Sequence, residues 1–319
     1  MKKNLKTNLI WLAIIAVVYA ILSALIVAGI INAFVAQIIT QIGINLIVAV
    51  GLNLVIGFTG QFSFGSAGFM AIGAYTSAIV TARMAPTWGS IFLSMLIGAI
   101  VAGVVAVIVG YPTLRLKGDY LAIATLGVSE IIRILIMNGG DLTNGAAGLS
   151  GITLFTDWGM TFIFAVVIII LILNFINSPS GRATLSVRED EIASESMGVN
   201  VTRVKVIAFT LGAMVTAVAG SLYAGFIGTV TPKDFTWMKS VDALIIVVLG
   251  GLGSITGTVI AAIILGLLNM FLQDFGAIRM IIYSLVLILV MIFRPGGLLG
   301  TWEFKISRFF NKKEKKEAK

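Results

Sequence analysis

The chain contains neither cysteine nor histidine. The first absence removes disulfide frameworks and thiol chemistry, and the second removes the commonest general base and metal ligand. Charge is scarce as well. Asp, Glu, Lys and Arg together make up 11% of the 319 residues, where a soluble domain carries roughly 25%, and a soluble fold of this size would need far more polar surface over its core. No Gly-x-x-x-x-Gly-Lys-Ser/Thr phosphate loop occurs, so the chain does not bind ATP by that route. The alternating strands of about ten residues that build a transmembrane barrel are missing. So are the rings of Asp or Glu of a cation channel and the Arg-rich stripes of a voltage sensor.

What is present is apolar, and it comes in long runs. Apolar residues are 59% of the chain, and Ile10 to Ile31, Ile42 to Phe58, Ile91 to Val109 and Phe162 to Leu173 hold no charge. A helix of about 20 such residues crosses the ~30 Å hydrocarbon core, and a helix satisfies its backbone within one segment. The fold class expected is an all-α integral membrane protein, a polytopic bundle of about 8–10 transmembrane helices. Helices are predicted at 9–31, 36–57, 64–83, 89–110, 120–138, 160–177, 206–228 and 279–293. A further segment, 241–272, is too long for one straight span and is interrupted by Gly250-Gly251-Leu252-Gly253-Ser254, which predicts two helices or a re-entrant pair. The apolar stretch behind Lys2, Lys3 and Lys6 runs longer than the roughly 7 to 15 residues of a signal peptide and reads as a retained first helix.

The net charge of +8 is distributed as in an oriented membrane protein, not as in a nucleic-acid binder. With the N-terminus inside, 17 of the 22 Lys and Arg fall on the inner side: at the N-terminus, at Arg115 and Lys117, at Arg182, Arg188, Arg203 and Lys205, and in the tail from Arg294 to Lys319. The loop 139–159 carries Asp141 and Asp157 but no basic residue and belongs outside. This bias also favours the broken reading of 241–272, because a single span there would put the basic tail outside. The expected organisation is a cytoplasmic N-terminus over 1–8, one membrane domain over 9–300 with a cytoplasmic loop at 178–205, and a basic cytoplasmic tail over 301–319. The tail alternates Lys and Glu and reads as a solvated or headgroup-facing end.

Three features carry functional information. Two glycine-rich stretches, Gly57 to Gly68 and Gly250 to Gly257, each separate two apolar helices, one in each half of the chain. Such paired interruptions point to a substrate pathway, since irregular backbone at membrane depth needs protein or a water-filled cavity to receive its polar groups; close helix packing through small residues is the other reading. On the first reading the pathway residues are Gly60, Gln61, Ser63, Gly65, Ser66 and Tyr75, with Gly251, Gly253, Ser254, Thr256 and Gly257. The loop from Ser178 to Lys205 predicts a short amphipathic helix over 183–197, suited to a groove on a partner. Lipid contact is the alternative, and the acidic cluster Glu189, Asp190, Glu191 and Glu195 disfavours it on an anionic surface. Finally, Glu130 and Arg133 lie at i, i+3 inside a predicted span, either a structural ion pair or groups that meet the substrate.

At these motifs the chain resembles the permease subunits of branched-chain amino acid ABC importers, of the LivM type. The resembling stretches are Gly51-Leu52-Asn53-Leu54 through Tyr75, Thr113 through Arg133, Gly181 to Gly198, Val247 to Gly257, and Phe293-Arg294-Pro295-Gly296-Gly297-Leu298-Leu299. The run Arg188-Glu189-Asp190-Glu191-Ile192-Ala193 followed by Gly198 is the most specific. In the wider importer superfamily a Glu-Ala-Ala motif with a glycine six residues past the Glu marks the helix that couples to the ATPase; here Gly198 is seven past Glu191. The resemblance implies coupling residues Arg188, Glu189, Asp190, Glu191, Ala193 and Gly198. It implies a second, different permease chain, two ATPase subunits and an external substrate-binding protein as partners, in a bacterial cell membrane. It also implies no cofactor and no catalysis by this chain. Leu, Ile and Val are the expected cargo, with urea or short amides as the alternative. An ion-coupled secondary transporter would need intramembrane carboxylates in number, and an intramembrane enzyme would need a Ser-Lys or paired-Asp site that no span supplies.

Overall fold

The computed structural model describes residues 2–84, 87–116 and 118–272, and individual positions from there to Glu303. Helix α1 covers Lys2–Val27, α2 Ala33–Thr59, α3 Ser66–Arg83, α4 Trp88–Thr113, α5 Asp119–Met137 and α6 Trp158–Asn177. Two short helices, α7 (Pro179–Glu189) and α8 (Glu191–Ser196), precede α9 (Val201–Ile227), α10 (Trp237–Gly250) and α11 (Ile255–Phe271). The helix predicted at 279–293 and the tail 305–319 lie largely or wholly outside the described residues.

Polar side chains at the helix starts explain the boundaries. Asn32 accepts from Val35 N, Asp157 from Met160 N and Asn200 from Arg203 N, each relieving an orphan donor of the first turn. Thr87 and Ser90 form a reciprocal capping box ahead of α4. α2 stops at Gly60, whose φ of +72° suits glycine: Gly60 N donates to Ile56 O, an αL cap, and Gln61 N to Val55 O.

Helix α9 is the axis of the bundle and packs against α2, α3 and α4. Small residues make this possible. A Cβ on Gly51 would fall 2.9 Å from Gly212 O, and one on Gly212 would fall 2.7 Å from Gly51 O, so α2 and α9 meet backbone to backbone. Gly73 lies against Ala217, Gly220 against Met70 and Gly103 against Met214. Without a hydrophobic driving force between helices in lipid, close van der Waals contact of this kind holds them together. α1 is peripheral and is fastened to α6 by Tyr19, whose ring stacks on Trp158 at 5.0 Å. A two-residue strand pair, Leu149↔Val230 and Ser150↔Thr229, ties the 139–157 loop to the α9–α10 connection.

Among the described residues, five helices (α2, α4, α5, α6 and α9) are long and apolar enough to cross a membrane by length and composition. The α10–α11 pair makes a sixth candidate, bent by 119° at its glycine turn as the interrupted 241–272 segment predicts. α3 is less apolar than these helices and runs largely inside the bundle, where Ser66, Ser77 and Thr81 are buried by protein. This is a polytopic helical membrane protein.

Candidate functional site

After Gly60 the chain runs through Gln61–Gly65 without helix or strand before α3 begins at Ser66. Ser63 and Ser66 line a narrow cavity of about 10 Å³, room for one water, together with Gly51, Gly212 and Thr216 and an apolar wall that includes Phe69 and Phe209. The same cavity is lined by Gly51, Leu52 and Val55, so the start of α3 lies beside the last turns of α2 rather than beyond its end. The segment is anchored from two sides. Phe64 N donates to Thr125 Oγ1 on α5, while Ser240 Oγ on α10 donates to Phe64 O and accepts from Ala67 N. Yet Gln61, only 2% exposed, has no partner for either amide atom among the described residues, and the hydroxyls of Ser66 and of the nearby Ser129 are unpartnered too. Gly68 is the point where α3 lies on Ser129, 2.9 Å from a Cβ position to its Cα.

The second interruption, Gly251–Ser254, is organised differently. Asn53, fully buried on α2, donates from Nδ2 to Ser254 O (3.0 Å) and Thr258 Oγ1 (2.8 Å), and its Oδ1 accepts from Gly253 N (2.9 Å). Ser254 Oγ accepts from Gly257 N and donates to Trp302 O at 2.7 Å. The Glu303 carboxylate accepts from Ile255 N, Thr256 N and Thr256 Oγ1, a charge placed at the N-terminus of α11 where the helix dipole favours it. Gly250 and Gly257 touch backbone to backbone, and Gly251 lies on Gly300.

The expected pathway residues are thus not gathered around one cavity. Ser63 and Ser66 line the first site, with Gln61 and Gly65 beside them in the chain. Ser254 and Thr256 face the 302–303 segment. Gly60 and Gly253 both meet Arg188. Tyr75 is elsewhere: its hydroxyl donates to Val230 O at 3.4 Å and its ring packs edge-on to Phe235. The structure adds residues that the pattern of glycines did not flag. Asn53, Thr125 and Ser240 hold the breaks, and each is a buried polar residue on a neighbouring helix. Phe62 is the exposed apolar side chain in the middle of the first break.

The single helix predicted at 183–197 is two helices. Asp190 has extended backbone (φ −154°), and its carboxylate accepts from Ile192 N (2.9 Å) and Ala193 N (3.0 Å), so it ends α7 and caps a new helix, α8. The side chains of this loop divide. Glu191 pairs with Lys205 at 2.9 Å and Ser194 is buried, fixing α8 to the start of α9. Ala193 and Glu195 are exposed, Ile192 is 75% and Met197 85% exposed, and Gly198 (φ +86°) has open space around it. Arg188 turns inward: its Nη1 donates to Gly57 O at 2.6 Å, and Glu189 beside it is exposed. Glu130 and Arg133 form an ion pair at 2.7 Å near the middle of α5, with side chains 26% and 22% exposed.

The sequence profile of the branched-chain amino acid transport system permease component matches residues 34–294. The high-affinity branched-chain amino acid transport system permease protein LivM of Escherichia coli (strain K12) is 37% identical over 278 residues, covering 76% of this chain and 64% of that protein. The LivM protein of Salmonella typhimurium is 36% identical over the same shares. The LivH permease protein of Salmonella typhimurium is 28% identical over 276 residues, 76% of this chain and 87% of that protein. The match therefore spans just under two thirds of the length of the LivM relatives. No solved structure matches the chain.

Proposed function

This chain belongs to the branched-chain amino acid transport permease family, and from that premise we propose that it is one membrane subunit of an ABC importer for Leu, Ile and Val. In this reading it pairs with a second permease chain, two ATPase subunits and an external substrate-binding protein in the inner membrane of a bacterium. Residues 9–300 form the membrane domain, with 1–8, 178–205 and 301–319 on the cytoplasmic side. ATP is hydrolysed by the partner chains.

The observation that carries the reading is the family match from residue 34 to 294, which takes in both breaks and the loop between α6 and α9. The chemistry of the first break supports it. An aliphatic amino acid is a zwitterion with an apolar side chain, so its path needs a few N–H and hydroxyl donors for the carboxylate and otherwise uncharged walls. Gln61, Ser63 and Ser66 at the inset start of α3, beside Phe69 and Phe209, have that character. The exposed Ile192, Met197 and Gly198 of the α8 segment, edged by Glu189 and Glu195, suit insertion into an ATPase groove.

The test is reconstitution. The purified chain in liposomes should neither hydrolyse ATP nor accumulate leucine, and addition of the partner permease, ATPases and binding protein should produce ATP-dependent uptake competed by isoleucine and valine but not by urea. Accumulation by the single chain without an ATPase would overturn the importer reading.

A further inference from the structure

The last four carbonyls of a helix have no intrahelical partner. At the end of α2, Ile56 O takes Gly60 N, and Gly57 O takes the guanidinium of Arg188, 131 residues away in sequence, at 2.6 Å. A cation at this end of α2 is also favoured by the helix dipole. The same Nη1 would lie 2.5 Å from a Cβ on Gly253, and Arg188 Cγ would lie 3.6 Å from a Cβ on Gly60. One side chain therefore bears on the closing turns of both breaks. Its backbone, meanwhile, is the next-to-last residue of α7 and sits two residues before Asp190, the joint at which α8 begins. α8 carries the open apolar face, and α7 packs against α2 as well as α6 and α8.

We infer that Arg188 is a positioning residue that transmits displacement of α8 to the end of α2 and to the Gly251–Ser254 turn, and that it does not contact the ATPase. The inference rests on the proposed function in one respect only, that an ATPase supplies the displacement. Its geometry is independent of that reading: a rigid fork holding a helix-end carbonyl moves with α7, and when it leaves, Gly57 O loses its partner and the Gly60–Gln61 turn is freed.

The test uses the full chain in membrane vesicles, first without partners. In a Gln61→Cys background, Arg188→Ala should raise the rate of labelling by a water-soluble maleimide at least about tenfold, the change expected for loss of one charge-assisted hydrogen bond. Arg188→Lys, which keeps a cation at the carbonyl, should stay within about threefold of the parent. A Ser221→Cys control, fully buried between α9 and α3, should remain unreactive in both. Unchanged labelling at 61, or equal gains at 61 and 221, would show a cap of no transmitting function or a general loosening, and either overturns the inference. In the assembled complex, Arg188→Ala should still co-purify with the ATPase while the ATP hydrolysed per amino acid imported rises about tenfold. Loss of co-purification would make Arg188 a docking contact and overturn the inference. If the parental complex imports nothing, the importer reading fails while the vesicle labelling still decides whether Arg188 latches the break.

Discussion

The two glycine interruptions are alike in composition and sit at the ends of similar helix pairs, but their polar groups are treated in opposite ways. At Gly251–Ser254 the backbone and side chains close on protein: Asn53 takes three hydrogen bonds, Ser254 two, and Glu303 covers the start of α11. At Gln61–Ser66 both atoms of the Gln61 amide and the Ser66 hydroxyl are left over in a place that protein has sealed from solvent. Leaving a buried donor or acceptor unmade costs on the order of 1–3 kcal/mol each. On the function proposed above, the second break holds the bundle together, and the unpartnered side chains of the first are offered to the substrate.

The strongest way to break this contrast is at Asn53. Asn53→Ala would strand Gly253 N and leave Thr258 and Ser254 O without their amide, so the protein should lose about 3 kcal/mol or more, read as a lower midpoint in a detergent unfolding titration. A midpoint within experimental scatter of the parent would mean that the second break is not the clasp. The chain's lack of cysteine allows a second test without background. Single cysteines at 61, 63 and 66 should react with a water-soluble thiol reagent in at least one nucleotide state of the assembled complex. A cysteine at 254 should react at least about tenfold more slowly in every state. Equal reactivity at all four positions would merge the two breaks into one path, and silence at all four would make both of them packing devices. The smallest effect is expected at Gln61. Gln61→Leu removes two unpartnered polar atoms from a buried site, so stability should change by less than about 0.5 kcal/mol or rise, while uptake of leucine by the complex falls. A large loss of stability would show that the amide is structurally engaged after all.

Much of this architecture could be read from the chain itself. Charge-free runs located α2, α4 and α6 to within a few residues, and Gly250 to Ser254 announced the bend between α10 and α11, because those signals are local. What escaped was tertiary. Nothing near Asn53 says that its amide faces Ser254, and nothing near Arg188 says that it points back to Gly57 instead of outward with Glu189. The split of α7 from α8 escaped for a different reason: Asp190 has the composition of an exposed acidic cluster, and its role as a cap depends on one extended backbone torsion. Tyr75, assigned to the first break for its nearness in sequence, lies halfway along α3 and meets Phe235.

The bond between Asn53 and Ser254 joins residues 201 apart in sequence, and that separation becomes a delay during synthesis. At roughly 5–20 residues per second, α2 is made about 10 to 40 seconds before the turn that its amide will hold. Over that interval Asn53 has only lipid, water or the machinery of insertion around it, along with whatever earlier helices have arrived. The polar residue that secures the finished bundle is thus one that α2 carries without its partner until α10 and α11 have been made.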